Sequence, residues 1–381
     1  MSFPRPSRRS FLHATAAMLA APPAGEEPPL APPDRQPPDL ELPKPIGGFA
    51  GYALVGLGKL ALEEVLPAFA KCRQSRVTAL VSGHPDKAKL VARHYGVRPD
   101  RIYDYDNFDK IVAEPEVHVV YVILPNSMHA EYTIRALKAG KHVLCEKPMA
   151  VSVAEGEKMI KAAEEAKRKL MIAYRLHYEP FNRAVIDACR EKSLGPVKTF
   201  TASNCQDVKP PNIRLSAKLG GGPLGDVGVY CLNAARYVVG EEPVEVTAFE
   251  RRPAHDPRFR EVPEGVAWTM RFPGGALAAC DCSFAAAPSR HYHVHCAEGT
   301  IALDHAFDYR GQRLHVSRGE ETKELRFREV DHFAEEMDHF SRCALGTGSP
   351  RTPGEEGLAD LRAMAAINEA ARTGKAVKVS R

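Results

Sequence analysis

The stretch Gly56-Leu57-Gly58-Lys59-Leu60-Ala61 constrains the fold more than any other part of the chain. It follows an apolar run and opens a helical pattern. In a loop of this kind the first glycine permits a tight turn, and the second lets backbone approach a pyrophosphate. The small residue at the third position keeps helix and strand close. The helix N-terminus then turns unpaired N–H groups toward phosphate. Gly56, Leu57, Gly58 and Lys59 are therefore read as dinucleotide contacts.

From residue 49 onward, apolar strand runs alternate with helical patterns. Strands are expected over 51–55, 76–81, 117–124, 141–145 and 170–174, with helices to about 71 and over 86–95, 128–139 and 153–168. Such alternation implies a parallel sheet covered on both faces. Right-handed crossovers then give a doubly wound, Rossmann-type α/β fold, here assigned to residues 49–176. After residue 178 the pattern changes. A helix over 180–192 precedes strand-like runs at 197–202, 244–251, 266–272, 276–282 and 292–297, and helices follow over 333–345 and 355–373. Residues 177–381 are thus read as an α+β domain with a large open, mainly antiparallel sheet, serving substrate binding and oligomerisation.

In doubly wound folds ligands sit beyond the carboxyl ends of the strands. The second strand ends Val81-Ser82-Gly83-His84, with Lys87 one turn on. An NAD site usually ends this strand with Asp or Glu, which accepts from the ribose 2′-hydroxyl. No carboxylate stands here. A 2′-phosphate would gain from the Ser82 hydroxyl and the Lys87 ammonium, so Ser82, Gly83 and Lys87 point to NADP. Leu124-Pro125-Asn126-Ser127-x-His129 follows the next apolar strand. It places Leu124 and Asn126 at the nicotinamide or its ribose, with His129 opening the helix beside them.

Glu146-Lys147-Pro148 lies just past the 141–145 strand and puts an ammonium at the mouth of the nicotinamide pocket. Glu146 either orients Lys147 or binds the nicotinamide ribose. The second reactive stretch is Gly220-Gly221-Gly222-Pro223-Leu224-Gly225-Asp226-Val227-Gly228-Val229-Tyr230. Its glycines allow close backbone approach, and Asp226 and Tyr230 share a helix face at i, i+4. Hydride removal from an alcohol needs a base for the hydroxyl proton. A phenol titrates near 10, and a neighbouring ammonium favours phenolate. Lys147 and Tyr230 are therefore the expected catalytic and substrate-binding pair, with Asp226 holding either the substrate hydroxyl or the lysine. Arg175 and His177 end the last strand of the first domain two residues apart; one or both are expected to touch cofactor or sugar. His291, His293 and His295 alternate along a strand without a metal-binding companion motif, which reads as a polar sheet face or subunit contact, so no metal is expected.

The chain has 381 residues, 44% hydrophobic and 26% charged, with a net charge of +4. No basic stripe interleaved with aromatics points to nucleic acid, and no apolar run approaches the roughly 20 residues of a bilayer span. Ser7-Arg8-Arg9-Ser10-Phe11-Leu12 has a twin-arginine pattern and an apolar segment after it, read as an export signal over 1–24 that delivers a folded protein to the periplasm. Residues 25–48 form a proline-rich arm. Nine cysteines at irregular spacing do not suggest a disulfide framework.

On these residues the chain resembles the Gfo/Idh/MocA oxidoreductase family. Tyr at 230, where many members carry His, resembles its glucose–fructose branch and aldose–aldose relatives. The resemblance implies a tightly held NADP reused in a ping-pong cycle: one sugar, such as glucose, leaves as a lactone, and a second, such as fructose, leaves as a polyol. It implies Lys147, Asp226 and Tyr230 as catalytic residues, and Gly56, Gly58, Ser82, Lys87, Asn126 and Glu146 at the cofactor. A homo-oligomer, dimer or tetramer, with the arm lying over a neighbouring subunit is also implied. The chain departs from the family pattern around 205–215, a stretch expected to shape the sugar pocket.

Overall fold

Six short, mostly apolar strands pair in parallel. They are β1 (Ala50–Val55), β2 (Ser75–Val81), β3 (Ile102–Tyr103), β4 (Val119–Val122), β5 (His142–Glu146) and β6 (Leu170–Ala173). Every residue of β1, β4 and β6 is buried, as a sheet sandwiched between helices requires. The order β3-β2-β1-β4-β5-β6 reverses direction between β1 and β4, which opens a crevice at the carboxyl ends of those two strands. The computed structural model describes residues 48–380; the expected signal, and the arm apart from Gly48, lie outside the described residues.

Helices Pro85–Tyr95, His129–Lys138 and Val153–Ala166 connect the strands. The helical segment after the glycine loop is irregular: a π turn over Ala61–Val65 gives way to Leu66–Ala68 and a 3₁₀ turn over Phe69–Lys71. Pro67, which has no N–H, interrupts the i→i−4 ladder there. The late helix His332–Ala344 returns to the first sheet. Tyr52 Oη donates to Met337 O at 2.8 Å, and the Asp338 carboxylate accepts from Arg73 N, Gln74 N and Ser75 Oγ at 2.6, 2.9 and 2.8 Å.

The second sheet has nine strands: β7 (Val197–Asp207), β8 (Glu245–Arg251), β9 (Gly265–Arg271), β10 (Leu277–Ser283), β11 (Ala285–Cys296), β12 (Thr300–Asp304), β13 (Arg313–Arg318), β14 (Glu321–Leu325) and β15 (Val377–Lys378). Their order is β14-β13-β12-β11-β7-β10-β9-β8-β15. The sheet is mainly antiparallel, as expected, but β10 runs parallel to β7. Strand β9 alternates buried and exposed residues, the mark of a sheet with one open face. Helices Val229–Val239 and Gly354–Thr373 pack against the other face.

Strands β3 and β12–β15 are additions to the sequence reading. β14 is exposed at every residue and β3 has only two, so neither carries a periodic apolar signal. Among the described residues no helix is long and apolar enough to cross a membrane. All nine cysteines carry free thiols, eight of them buried.

Candidate active site

The glycine loop has the geometry its sequence demands. Gly56 has φ +99°, and a Cβ there would lie 2.3 Å from Ile123 O. At Gly58 a Cβ would meet nothing within 4 Å, so this side of the loop is open to a ligand. Leu57 is buried, and its carbonyl accepts from Lys87 Nζ at 3.3 Å. Buried Ser82 accepts from His84 N through Oγ at 3.1 Å, which leaves its own hydroxyl proton to donate. A Cβ at Gly83 would come within 3.0 Å of the Tyr105 ring. Leu57, Ser82, Gly83 and Lys87 therefore gather beyond β1 and β2, with no carboxylate ending β2, an arrangement that fits a 2′-phosphate better than a bare ribose. Lys59 is a partial correction. Its side chain is 82% exposed and leans to Glu63 at 3.8 Å, so only its backbone belongs to the loop.

His129 opens its helix as expected, but its ring turns into the protein. Both ring nitrogens of buried His129 lie 2.8 Å from carbonyls, Nδ1 from Pro148 O and Nε2 from Leu124 O. The ring joins the two loops instead of facing a cofactor. Burial lowers its pKa, and the Lys147 ammonium acts in the same direction, against the two carbonyls. Asn126 Nδ2 donates to Gly220 O at 2.8 Å and so ties the first half to the triglycine stretch of the second.

Lys147 leaves the end of β5 through a cis Lys147–Pro148 peptide. Its Nζ donates to Asp226 O at 2.7 Å, lies 3.6 Å from Asp226 Oδ1, and stands 4.7 Å from the centroid of the Tyr230 ring. Asp226 lies in the π turn Leu224–Gly228, and Tyr230 in the first turn of helix Val229–Val239. Asp226 Oδ2 accepts from Arg214 Nε at 2.6 Å and Gln206 Nε2 at 3.1 Å. Burial pushes the Asp226 carboxyl up, but Arg214 and Lys147 outweigh it and hold it below the usual carboxylate range.

Arg175 joins this cluster rather than the cofactor loop. Its Nε donates to Tyr230 Oη at 3.2 Å, and its guanidinium carbon lies 5.0 Å from that ring. Bonds to Phe307 O (2.6 Å) and Asp308 O (3.3 Å) fix it in place. Glu146 turns inward and accepts from Tyr121 Oη at 2.8 Å; burial raises its pKa although Lys147 pulls it down. Glu336 is fully buried, with neither carboxylate oxygen hydrogen-bonded among the described residues. Burial and Glu146 push its pKa well up, which favours the neutral acid.

His177 borders the cavity of Lys147 and Tyr230 but is largely enclosed by its own partners. It is buried, Nε2 meets Asn233 Oδ1 at 2.9 Å, and its ring lies 3.9 Å from that of Tyr237. Burial lowers its pKa to about 3. It belongs to a network centred on Asp360, which accepts from Tyr174 Oη (2.6 Å), Asn233 Nδ2 (3.0 Å) and Arg236 Nη1 (2.6 Å). This network braces the helix of Tyr230 from behind. The structure thus unites Lys147, Asp226, Tyr230 and Arg175, with His177 lining the same small cavity from its buried side. It also adds Arg214 and Gln206, which sequence reasoning missed because they lie in no motif. His291 and His293 stand 5.5 Å apart, ring to ring, on β11, and no group of three His, Cys, Asp or Glu among the described residues could hold a metal ion.

A glycine loop at the end of β1 and a Lys–Asp–Tyr cluster beyond the end of β5, in one doubly wound fold, are the parts of an oxidoreductase. Residues 50–174 match the oxidoreductase family with an NAD-binding Rossmann fold, and residues 182–302 match the GFO/IDH/MocA C-terminal domain. The chain belongs to the Gfo/Idh/MocA oxidoreductase family. It is 30% identical to D-xylose 1-dehydrogenase [NADP(+)] from Haloarcula marismortui, over 86% of this chain and 92% of that protein. The crystal structure of aldose-aldose oxidoreductase from Caulobacter crescentus, complexed with glycerol, superposes with a TM-score of 0.84. It is 42% identical and covers 87% of this chain and 99% of its own. A 3-ketoreductase from Actinomadura kijaniata, in complex with NADP and TDP-benzene, has a TM-score of 0.76 and 27% identity, covering 84% of this chain and 98% of its own.

Proposed function

We propose that this chain is an NADP-dependent sugar oxidoreductase that oxidises an aldose such as glucose to its lactone and reduces a second sugar, such as fructose, to a polyol, in a ping-pong cycle on tightly bound NADP. The observation that carries the reading is the Lys147 ammonium 4.7 Å above the Tyr230 ring, with Asp226 and Arg175 in direct contact with that pair. Relatives of the same family named for aldose oxidation and for NADP support the substrate and cofactor class.

Gly56, Leu57, Gly58, Ser82, Gly83 and Lys87 would hold the nucleotide, which when bound supplies the hydride acceptor and donor. The remaining work falls to the protein. In oxidation the Tyr230 oxygen takes the proton of the substrate hydroxyl, and in reduction it returns one. Arg175 Nε already donates to that oxygen at 3.2 Å and so favours negative charge on it. The Lys147 Nζ, with three donors and two positions on Asp226, keeps N–H capacity for the substrate oxygen. Asp226 fixes the ammonium and accepts from a substrate hydroxyl.

The test is to purify the protein and record the near-ultraviolet band of reduced nicotinamide before and after glucose, with no nucleotide added. A rise that fructose reverses supports the internal cycle. A response that requires free NADP supports a one-substrate dehydrogenase with exchangeable cofactor, as the xylose dehydrogenase relative would suggest. Bound nucleotide with no response to any sugar supports a non-catalytic nucleotide-binding protein. The twin-arginine pattern supports export of the folded enzyme to the periplasm, which cell fractionation with Arg8→Lys/Arg9→Lys checks. The open sheet face, with Phe249 74% and Leu277 51% exposed among threonines, supports a homo-oligomer, testable by sedimentation.

A further inference from the structure

We propose that Arg214 reads the hydroxyl on the carbon next to the one that exchanges hydride, and so decides which sugars the site accepts; this rests on the oxidoreductase reading above. Arg214 comes from the irregular segment between β7 and the π turn of Asp226. The segment is held at several points. Glu261 Oε2 accepts from Ala217 N at 2.9 Å and Ser216 Oγ at 3.3 Å. Asn126 Nδ2 reaches Gly220 O, and Gly222 N closes on Arg214 O at 3.0 Å. A Cβ at Gly221 would lie 2.3 Å from Arg214 O, so the glycine run is what lets the chain fold back tightly enough to present this arginine.

The donors and acceptors around Asp226 leave room for one substrate diol. A carboxylate has about four lone-pair positions. Oδ2 receives Arg214 Nε and Gln206 Nε2, while Oδ1 faces Lys147 at 3.6 Å. One acceptor position on Oδ1 is left beside the reacting oxygen. On the other side, Arg214 uses only Nε. Its two Nη nitrogens make no hydrogen bond among the described residues, and its side chain is 43% exposed against 17% for Asp226. The charge of Arg214 also reaches Tyr309 and Tyr230, so the guanidinium belongs to the same cleft.

Vicinal oxygens of a sugar ring are about one hydrogen-bond length apart, like Asp226 Oδ2 and Arg214 Nε at 2.6 Å. A sugar whose reacting hydroxyl meets Tyr230, Lys147 and Asp226 brings its neighbouring hydroxyl to the Arg214 Nη edge. An analogue without that hydroxyl loses a hydrogen bond to a charged donor, a loss that water at this partly exposed side chain only partly offsets.

The experiment compares kcat/KM for D-glucose and 2-deoxy-D-glucose, with NMR of the product locating the oxidised carbon as C1. The wild-type chain is expected to favour glucose by about 10- to 100-fold, the range for a hydrogen bond to a charged group. In Arg214→Ala and Arg214→Gln the preference should shrink to about threefold, while NADP binding, read by fluorescence, is retained. Equal losses for both sugars, with the wild-type ratio kept, would mean that Arg214 acts only by holding Asp226, and would overturn the inference. Oxidation at a carbon other than C1 moves the comparison to the analogue lacking the hydroxyl beside that carbon, with the same ratios expected. A wild-type chain that oxidises no sugar defeats the oxidoreductase reading and this inference with it.

Discussion

Replacing Tyr230 by Phe removes one oxygen and keeps the ring, so its effects on stability and on chemistry separate. The ring remains under the Lys147 ammonium at 4.7 Å and beside the Arg175 guanidinium at 5.0 Å, and these cation–π contacts, about 0.5–2 kcal/mol each, survive. The loss is the acceptor of the 3.2 Å bond from Arg175 Nε. Hydrogen bonds to charged groups contribute about 1.5–3 kcal/mol, and Arg175 keeps its partners at Phe307 and Asp308. The fold should therefore lose about 1–2 kcal/mol, a few degrees in Tm. Turnover should fall much further, because the proton of the substrate hydroxyl has lost its acceptor. Positioned acid–base groups contribute about 10²–10⁴-fold, or roughly 2.7–5.5 kcal/mol of barrier. Stopped-flow absorbance of the NADP-loaded enzyme mixed with sugar measures the step directly, and a C1-deuterated sugar reports whether hydride transfer has become limiting. Nucleotide affinity should not change, since no residue of the glycine loop is touched. A single-turnover rate within tenfold of wild type would refute the role assigned to this phenol.

Two further outcomes follow from other parts of the structure. Gly56→Ala would place a Cβ 2.3 Å from Ile123 O at a φ of +99°; strain of about 1–3 kcal/mol plus the clash should displace the loop and weaken NADP binding at least tenfold in a fluorescence titration, and unchanged affinity would contradict the cradle. For pH, His177 is held neutral down to about 3 in the fold but titrates near 6.5 when unfolded. Below pH 6.5 the unfolded chain binds a proton that the folded chain does not, so stability present above pH 6.5 falls as pH drops toward 3. Between pH 6.5 and 4.5 this amounts to about 2 kcal/mol, read from denaturant midpoints, and His177→Gln should flatten the slope; an identical slope in the variant would remove His177 as its source.

The parallel sheet was legible because its strands are buried on both faces and its turns carry glycine and proline. The edge strands were not. β14 lies wholly in solvent, and its Glu-Thr-Lys-Glu-Leu sequence follows neither helix nor strand periodicity toward a core. At the site, Gly56, Lys147, Asp226 and Tyr230 could be read because each lies in a local pattern with its own chemistry. Arg214 and Gln206 could not, since they reach Asp226 from a long irregular segment and the end of a strand, and only tertiary contact reveals them. His177 shows what a sequence cannot tell about enclosure. A histidine at a strand end looks available, but the aromatic ring of Tyr237 and the amide of Asn233 enclose it. His129 lies in a turn motif that suggested ligand contact, yet its two nitrogens are taken by the backbone of the loops it joins.

The helix His332–Ala344 has a consequence for how the protein comes into being. Tyr52, Arg73, Gln74 and Ser75, at the start of the nucleotide-binding half, depend on Met337 and Asp338 for their hydrogen bonds. Phe333, Met337 and Phe340 pack into the same apolar cluster as β1 and β2. A nascent chain that has just released residues 49–176 thus exposes one apolar flank and several unpaired donors until nearly all of the remainder has been synthesised. Maturation is a clasp between the first two strands and a late helix, and a fragment cut at the apparent boundary would be sticky rather than autonomous.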